Sequence, residues 1–478
     1  MKITRKPNER TILMYSLFDS TIAAVSTPRG KGGIAVIRIS GGGALPICEK
    51  FIHPKSGAPL SDIKANTACL AAVSASDGSI LDEAVITVYR APRSYTGEDT
   101  VEISCHGGIL LTEAILSRAL ECGAAPAGPG EFTRRAFSAG KLSLSEAEAV
   151  IGVIEAETRA SLLLSRKNLD GGIRRKTDEL YDRLKAVVSG VYAAIDFPDE
   201  ELSQMSTEEI RSELALIGSQ LERLCDSYKT GHAVCEGIRT VLIGKPNTGK
   251  STILNLFAEK ERAIVTDIAG TTRDVVSEVV TAGAVTLRLS DTAGIRSTSD
   301  AVESIGVAKS KEALSEAELI LAVFDAAAPF DEEDAEVLAL IRERAAEGAA
   351  VIAILNKNDL PEKADAARLE KELGTAPVRL CAKEKQSRGA LVKIIENMFV
   401  NGDLGAEDHT VITNARQFAA ASEALAHVGD AATALDSFGA DIACTELEAA
   451  MARLGELDGR QVTADVVDSI FHRFCVGK

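Results

Sequence analysis

Residues 238–258 read IRTVLIGKPNTGKSTILNLFA, and this stretch decides the fold of the middle of the chain. IRTVLI is a short, mostly apolar β-type run, as a buried strand requires. GKPNTGKS, from Gly244 to Ser251, fits the pattern G-x-x-x-x-G-K-[ST]. STILNLFA then continues as a helix. In this strand–loop–helix context the loop N–H groups and the helix N-terminus surround phosphates. Lys250 is placed to reach the β/γ-phosphates and Ser251 to ligate Mg²⁺, with Asn247, Thr248, Gly249 and Thr252 completing the loop.

Three segments downstream fit the same site. DTAG (Asp291, Thr292, Ala293, Gly294) follows the strand-like TLRLS, which sets its Asp near Mg²⁺ and its Gly N–H near the γ-phosphate. GTTRD, Gly270 to Asp274, lies where a switch loop belongs, and Thr272 completes the Mg²⁺ shell. NKND follows the strand AVIAILNK. Its Asn356, Lys357 and Asp359 form a guanine-reading group, because a carboxylate at Asp359 accepts two N–H donors from guanine that adenine lacks. CAK, Cys381 to Lys383, closes the set. The set and its order resemble the translation-factor-related GTPases, so the expected nucleotide is GTP. Ras-like enzymes carry a Gln after DTAG to orient the attacking water. Here the position is Ile295, which cannot do so. Asn247 offers a side-chain oxygen to a monovalent cation; the alternative is that it only shapes the loop.

Outward from this core, strand-like LILAVFDA, AVIAILNK and PVRLCAK alternate with helical stretches such as DEEDAEVLALIRERAAEG, the signature of a parallel α/β sheet. It spans residues 236–400. Helical periodicity fills residues 141–235, broken at AIDFPDEE, and returns over 401–478 after the linker NGDLGAED. The economical reading is one helical domain with the α/β domain inserted in it. Residues 1–140 are α+β: TIAAVST, GIAVIRIS, EAVITVYR and DTVEISC read as strands and GILLTEAILSRALECG as a helix. Residues 1–20 read as a disordered extension, with Met14 an alternative start.

Length and composition agree with several domains. A chain of 478 residues is expected to hold about three. The net charge of −17 is uneven: residues 1–140 carry 15 Lys+Arg and 13 Asp+Glu, which leaves −19 on the remainder. An acidic body binds nucleic acid poorly unaided, so RNA, if it is handled, calls for a basic partner. There is no Trp, which argues against extended base-stacking platforms. The 9 cysteines are odd in number and form no C-x-x-C, so neither a disulfide framework nor a zinc site is indicated and a reducing cytosol is expected. The N-terminus lacks a signal-peptide pattern, and no apolar stretch is long enough to span a bilayer.

The chain ends FCVGK. A prenylation box fails at Gly477 and Lys478. Cys475 is then either a buried core cysteine or a working thiol, with Arg473 and Lys478 favouring the thiolate in the second case.

Over nearly its whole length from about Thr21, the chain resembles the MnmE (TrmE) family of tRNA-modification GTPases. The resemblance rests on PRGKGGIAVIRISG, SYTGEDTVEISCHGG, PGEFTRRAFSAGKLSLSEAEAV, AIDFPDEE, the GTPase set and FCVGK. It implies a multidomain fold: an N-terminal folate-binding and dimerisation domain, a helical domain and an inserted Ras-like P-loop domain. It implies a K⁺-activated GTP hydrolase in the cytoplasm that works with the FAD-containing MnmG, as a homodimer joined into a heterotetramer, with tRNA held largely through the partner and no membrane. Together the two would install a carboxymethylaminomethyl or aminomethyl group at C5 of the wobble uridine of certain tRNAs. The carbon comes from 5,10-methylene-tetrahydrofolate, with 5-formyl-tetrahydrofolate as a binding analogue.

Carried onto this sequence, the resemblance gives Asn247, Thr266, Ile268 and Thr271 as K⁺ ligands, with Asp267 and Ala269 in the same nucleotide-facing loop. Glu303 helps position the attacking water, Arg296 is a basic residue after DTAG, and Arg273 and Asp274 are a switch pair. Arg38, Glu102, Lys141 and Lys478 take folate, and Cys475 is the functional thiol. His106 is read as a turn residue near that pocket. The alternatives are a ribosome-assembly GTPase of the Era type, which calls for a basic RNA-binding appendage not found here, and a structural switch controlled by nucleotide without turnover.

Overall fold

The computed structural model describes residues 20–196, 205–258, 278–290, 313–400 and 410–478. The chain forms two compact units, residues 1–151 with 458–478, and residues 152–457.

The first unit is built on strands β1 (Ile22–Val25), β2 (Ile34–Ser40), β3 (Ile52–Pro54), β4 (Thr67–Ser74), β5 (Ile80–Tyr89), β6 (Thr100–His106) and β7 (Ala125–Pro126). They make one sheet in the order β3-β4-β5-β6-β2-β1-β7, antiparallel except where β1 meets β7. Period-two alternation separates the faces. In β2, Ala35, Ile37 and Ile39 are buried, while Arg38 projects from the opposite face. The apolar face packs on the helix Ile109–Glu121 through Ile115 and Ala119. β2 and β6 run in register so that Arg38 stands opposite Glu102. The sequence patterns do not announce β3, β4, β7 or the helices Ala44–Cys48 and Glu131–Ser138.

The last 21 residues join this unit, whereas the sequence reading kept all of 401–478 in a helical block. The reason is apolar. Val467, Ile470, Phe471 and Phe474, around the helix Ala464–Phe471, share a core with Leu144 and Ala147.

In the second unit, β8 (Ile238–Ile243), β9 (Glu278–Ala282), β10 (Val285–Leu289), β11 (Leu319–Asp325), β12 (Ala350–Asn356) and β13 (Val378–Arg379) form a sheet in the order β13-β12-β11-β8-β10-β9. Neighbours are parallel except β9 and β10. Helices Lys250–Ala258 and Gln386–Phe399 cover one face, and Glu332–Ala346 and Ala366–Leu373 the other. The central strand LILAVFD is therefore apolar almost throughout, as a strand buried on both faces must be.

The two helical stretches of sequence share one core within this unit. Ile210, Leu214, Ile217, Leu221 and Leu224 line one face of the helix Thr207–Cys235 at 4-3-4-3 spacing. They meet Ala420, Ala421, Ala424 and Val428 of the helix Ala415–Ser437, whose small side chains allow close approach. This shared core is what an inserted α/β domain requires. Among the described residues no helix is long and apolar enough to cross a membrane.

Candidate functional site

In open α/β sheets ligands bind outside the carboxyl ends of the strands. The loop after β8 lies there, running into the helix Lys250–Ala258. Its backbone takes positive φ at Gly244, Asn247 and Gly249. Asn247 adopts φ +62° and Gly249 φ +98°. At Gly249 a Cβ would run into the side-chain amide of Asn356, so only glycine fits. Lys250 Nζ donates to the carbonyls of Gly244 (2.6 Å) and Lys245 (2.9 Å), and burial lowers its pKa. Thr248 is buried and its Oγ1 donates to the Lys245 carbonyl at 3.0 Å. Ser251 is exposed at the start of the helix.

The opposite side of the site, which carries NKND, is built on the end of β12. Asn356, 3% exposed, donates from Nδ2 to the Thr248 carbonyl (2.8 Å) and accepts on Oδ1 from the Ala382 N–H (2.9 Å). Lys357 takes φ +66° and its Nζ pairs with Asp325 Oδ2 at 2.6 Å. Ser387 Oγ donates to the Cys381 carbonyl at 2.7 Å, so the loop depends on the backbone of Cys381 rather than its thiol. Asn247, Lys250, Ser251, Thr252, Lys357 and Asp359 all line one cleft of about 350 Å³. Its chemistry is a lysine and loop amides at one end and an exposed carboxylate at the other, which fits a nucleoside phosphate. Thr266, Asp267, Ile268, Ala269, Gly270, Thr271, Thr272, Arg273, Asp274, Asp291, Thr292, Ala293, Gly294, Arg296 and Glu303 lie outside the described residues.

The first unit holds a second constellation. Arg38 Nε donates to Glu102 Oε1 at 2.8 Å, and its guanidinium lies over the rings of Tyr95 (5.3 Å) and Phe132 (5.4 Å). Among the described residues, Glu102 Oε2 has only a long 3.4 Å contact from Tyr89 Oη, so it can still accept N–H donors from a ligand. Lys141 Nζ donates to the carbonyls of Pro92 (3.0 Å) and Ser94, in the stretch that leads into Tyr95. The Lys478 carbonyl accepts from the Phe132 N–H at 3.1 Å, and the Cys475 carbonyl from Gly130 at 3.4 Å. The four residues that the resemblance assigns to folate are thus linked through Tyr95, its neighbour Ser94 and Phe132.

Cys475 is exposed, which removes the inert-core reading. His106 is not a turn residue. It ends β6, four positions beyond Glu102, and its Nδ1 pairs with Asp82 at 2.8 Å.

The sequence alone does not single out Tyr95, Phe132 or the ion pairs of Lys245 with Asp331 and Asp334. The first two stand inside SYTGED and PGEFTRR, stretches recognised as blocks; only the cross-strand position of Arg38 singles them out.

The model of the MnmE helical domain matches residues 144–475, and that of the GTP-binding protein TrmE N-terminus matches residues 21–141. A tRNA modification GTPase MnmE from Symbiobacterium thermophilum is 41% identical over 462 residues, 96% of this chain and 100% of that protein. Proteins of the same name from Thermoanaerobacter pseudethanolicus (38%, covering 97% and 100%) and Geobacillus kaustophilus (39%, covering 96% and 99%) are similarly related. Matches that span the flanking domains leave the Era-type alternative without support.

Proposed function

This chain belongs to the MnmE family of tRNA modification GTPases, and on that premise we propose that it hydrolyses GTP in the service of tRNA modification. The observation that carries the reading is the convergence of Lys250, Ser251, Asn356 and Asp359 on one cleft. Lys250 trades its two carbonyl acceptors for phosphate oxygens. Asp359 reads the guanine edge, and Asn356 holds the two ends of the cleft together. Ser251 and Thr272 would hold Mg²⁺, which supplies charge neutralisation at the phosphates. Asn247, with Thr266, Ile268 and Thr271, would hold K⁺ at the place an arginine finger serves elsewhere. The αL backbone of Asn247 fits loop shaping, and its exposed side chain at the cleft leaves the carboxamide oxygen available to the cation as well. Glu303 would position the water, with Arg296 and the pair Arg273 and Asp274 in the switch regions.

The first unit would bind 5,10-methylene-tetrahydrofolate. Glu102 Oε2 offers the acceptor for the pterin N–H groups, and Lys141 and Lys478 the charge for a glutamate tail, while the rings of Tyr95 and the fully buried Phe132 hold the Arg38 guanidinium in place. Cys475 would stand as an exposed thiol at the edge of this pocket. With an FAD-containing MnmG, the chain would act as a homodimer within a heterotetramer in the cytoplasm, building the carboxymethylaminomethyl or aminomethyl group on the wobble uridine. An acidic body fits tRNA being held by the partner.

GTP hydrolysis rates in KCl and in NaCl test the first half. A higher rate in KCl is expected; equal low rates would remove the K⁺ role and favour the nucleotide-controlled switch. Mass spectrometry of tRNA nucleosides from a deletion strain complemented with wild type or Cys475→Ser tests the second. Wild type restores the modified uridine and the variant does not; a deletion that leaves the nucleoside unchanged would overturn the assignment.

A further inference from the structure

Lys245, the second residue of the phosphate loop, does not line the cleft. Its Nζ lies 2.6 Å from Asp331 Oδ2 and 2.7 Å from Asp334 Oδ2. Those carboxylates also cap the helix Glu332–Ala346: Asp331 Oδ1 accepts from the Asp334 N–H at 3.1 Å, and the Asp331 N–H donates to Asp334 Oδ2 at 3.3 Å. Asp334 is 4% exposed, and a carboxylate so buried needs a cation. Lys245 supplies it. At the same residue the main-chain carbonyl accepts from Lys250 Nζ and from Thr248 Oγ1. One residue therefore ties the loop's lysine and buried threonine, through its backbone, to a neighbouring helix, through its side chain.

We propose that Lys245 is a positioning residue for the nucleotide: its double ion pair with Asp331 and Asp334 anchors the phosphate loop to the helix Glu332–Ala346 and keeps the loop in its binding conformation before nucleotide arrives. The proposal rests on the cleft being a guanine-nucleotide site. A loop held open beforehand loses less conformational freedom on binding, so the anchor adds affinity without touching the ligand. The anchor acts on GDP and GTP alike, because both carry the phosphates the loop surrounds. It acts little on the chemical step, which depends on groups it does not move.

The test is titration of the full-length protein with fluorescent GDP and GTP analogues, beside GTP turnover at saturation. Wild type must bind; if it does not, the nucleotide reading itself fails. Lys245→Met is expected to raise both Kd values by the same factor, about tenfold, with kcat within about twofold of wild type. Lys245→Arg, whose guanidinium can span two carboxylates, is expected within about threefold of wild type. The variant Lys245→Met/Asp331→Asn/Asp334→Asn removes the unpaired charges and should keep the loss. Should Lys245→Met fail to fold, Asp331→Asn, at the more exposed carboxylate, gives a smaller loss of the same kind. Unchanged affinities in both single variants would overturn the proposal. So would full recovery in the triple variant, which would make the effect one of charge on the phosphates.

Discussion

Asn356 Nδ2 donates to the carbonyl of Thr248 across 2.8 Å, fastening the end of β12 to the loop that follows β8. The same carboxamide accepts from Ala382 at 2.9 Å, so both ends of its dipole are used within a buried site. Asn356→Ala leaves a carbonyl and an N–H unpaired, at about 1–3 kcal/mol each. The expected outcome is at least about a tenfold rise in Kd for guanine nucleotides. Asn356→Asp is expected to be no better, because a carboxylate cannot donate to the Thr248 carbonyl. Fluorescent GDP titration measures both, and a Kd equal to wild type in either would sink the account.

The second prediction concerns pH. His232 Nδ1 lies 2.8 Å from Glu236 and its Nε2 2.9 Å from Glu318, which also pairs with Arg239. Burial by itself would lower the His232 pKa, but the hydrogen bonds to the two carboxylates outweigh it and push it from 6.5 up to about 9. Burial likewise opposes the charge on Glu318, but the His232 and Arg239 donors outweigh it and pull its pKa down to about 2. A raised folded-state value means stability that is complete below the unfolded value near 6.5 and is lost as pH rises through about 9. The partly exposed pair should contribute about 1–2 kcal/mol. Urea unfolding between pH 6 and pH 10 should show this slope in wild type and not in His232→Gln. Parallel curves for the two proteins would refute it.

The α/β sheet was legible because its signals are local. Each buried parallel strand is an apolar run, and the phosphate loop and NKND are contiguous in sequence. β4 was not. TACLAAVS carries small residues with a weak alternation, and it becomes a strand by pairing with β5 over most of its length. The destination of the C-terminus was hidden for a related reason. Helical periodicity marks Val467, Ile470 and Phe471 as one apolar face but does not say which core receives it. Arg38 and Glu102 came from family resemblance; their contact depends on strand register, which alternation alone does not set.

That register yields a third prediction. Arg38 sits between two rings and one carboxylate, so Arg38→Met removes both the cation and the hold on Glu102. Binding of 5-formyl-tetrahydrofolate, followed by calorimetry, should weaken by at least about tenfold. GTP turnover should stay unchanged, because the cleft belongs to the other unit. Retained folate binding would show that the constellation is only a structural ion pair.

Gly477 gives the last prediction. It holds φ +102°, and a Cβ there would run into the carbonyl of Val25. Around it the tail is held by backbone pairing: Val476 pairs with Pro129 and the Lys478 carbonyl accepts from Phe132. The anchor upstream is apolar, with Phe474 buried beside Phe471 at a ring separation of 5.3 Å. Gly477→Ala should therefore unseat Val476 and Lys478 while leaving the helix Ala464–Phe471 in place. The global cost should be small, about 1–2 kcal/mol for the strained backbone. The local cost should be large: the Phe132 amide loses its acceptor and exchanges faster, and folate affinity falls with the displaced Lys478. Hydrogen exchange at Phe132 beside thermal unfolding separates the two effects. Protection at Phe132 equal to wild type would mean that the tail tolerates the methyl group, and that the glycine is not what seats it.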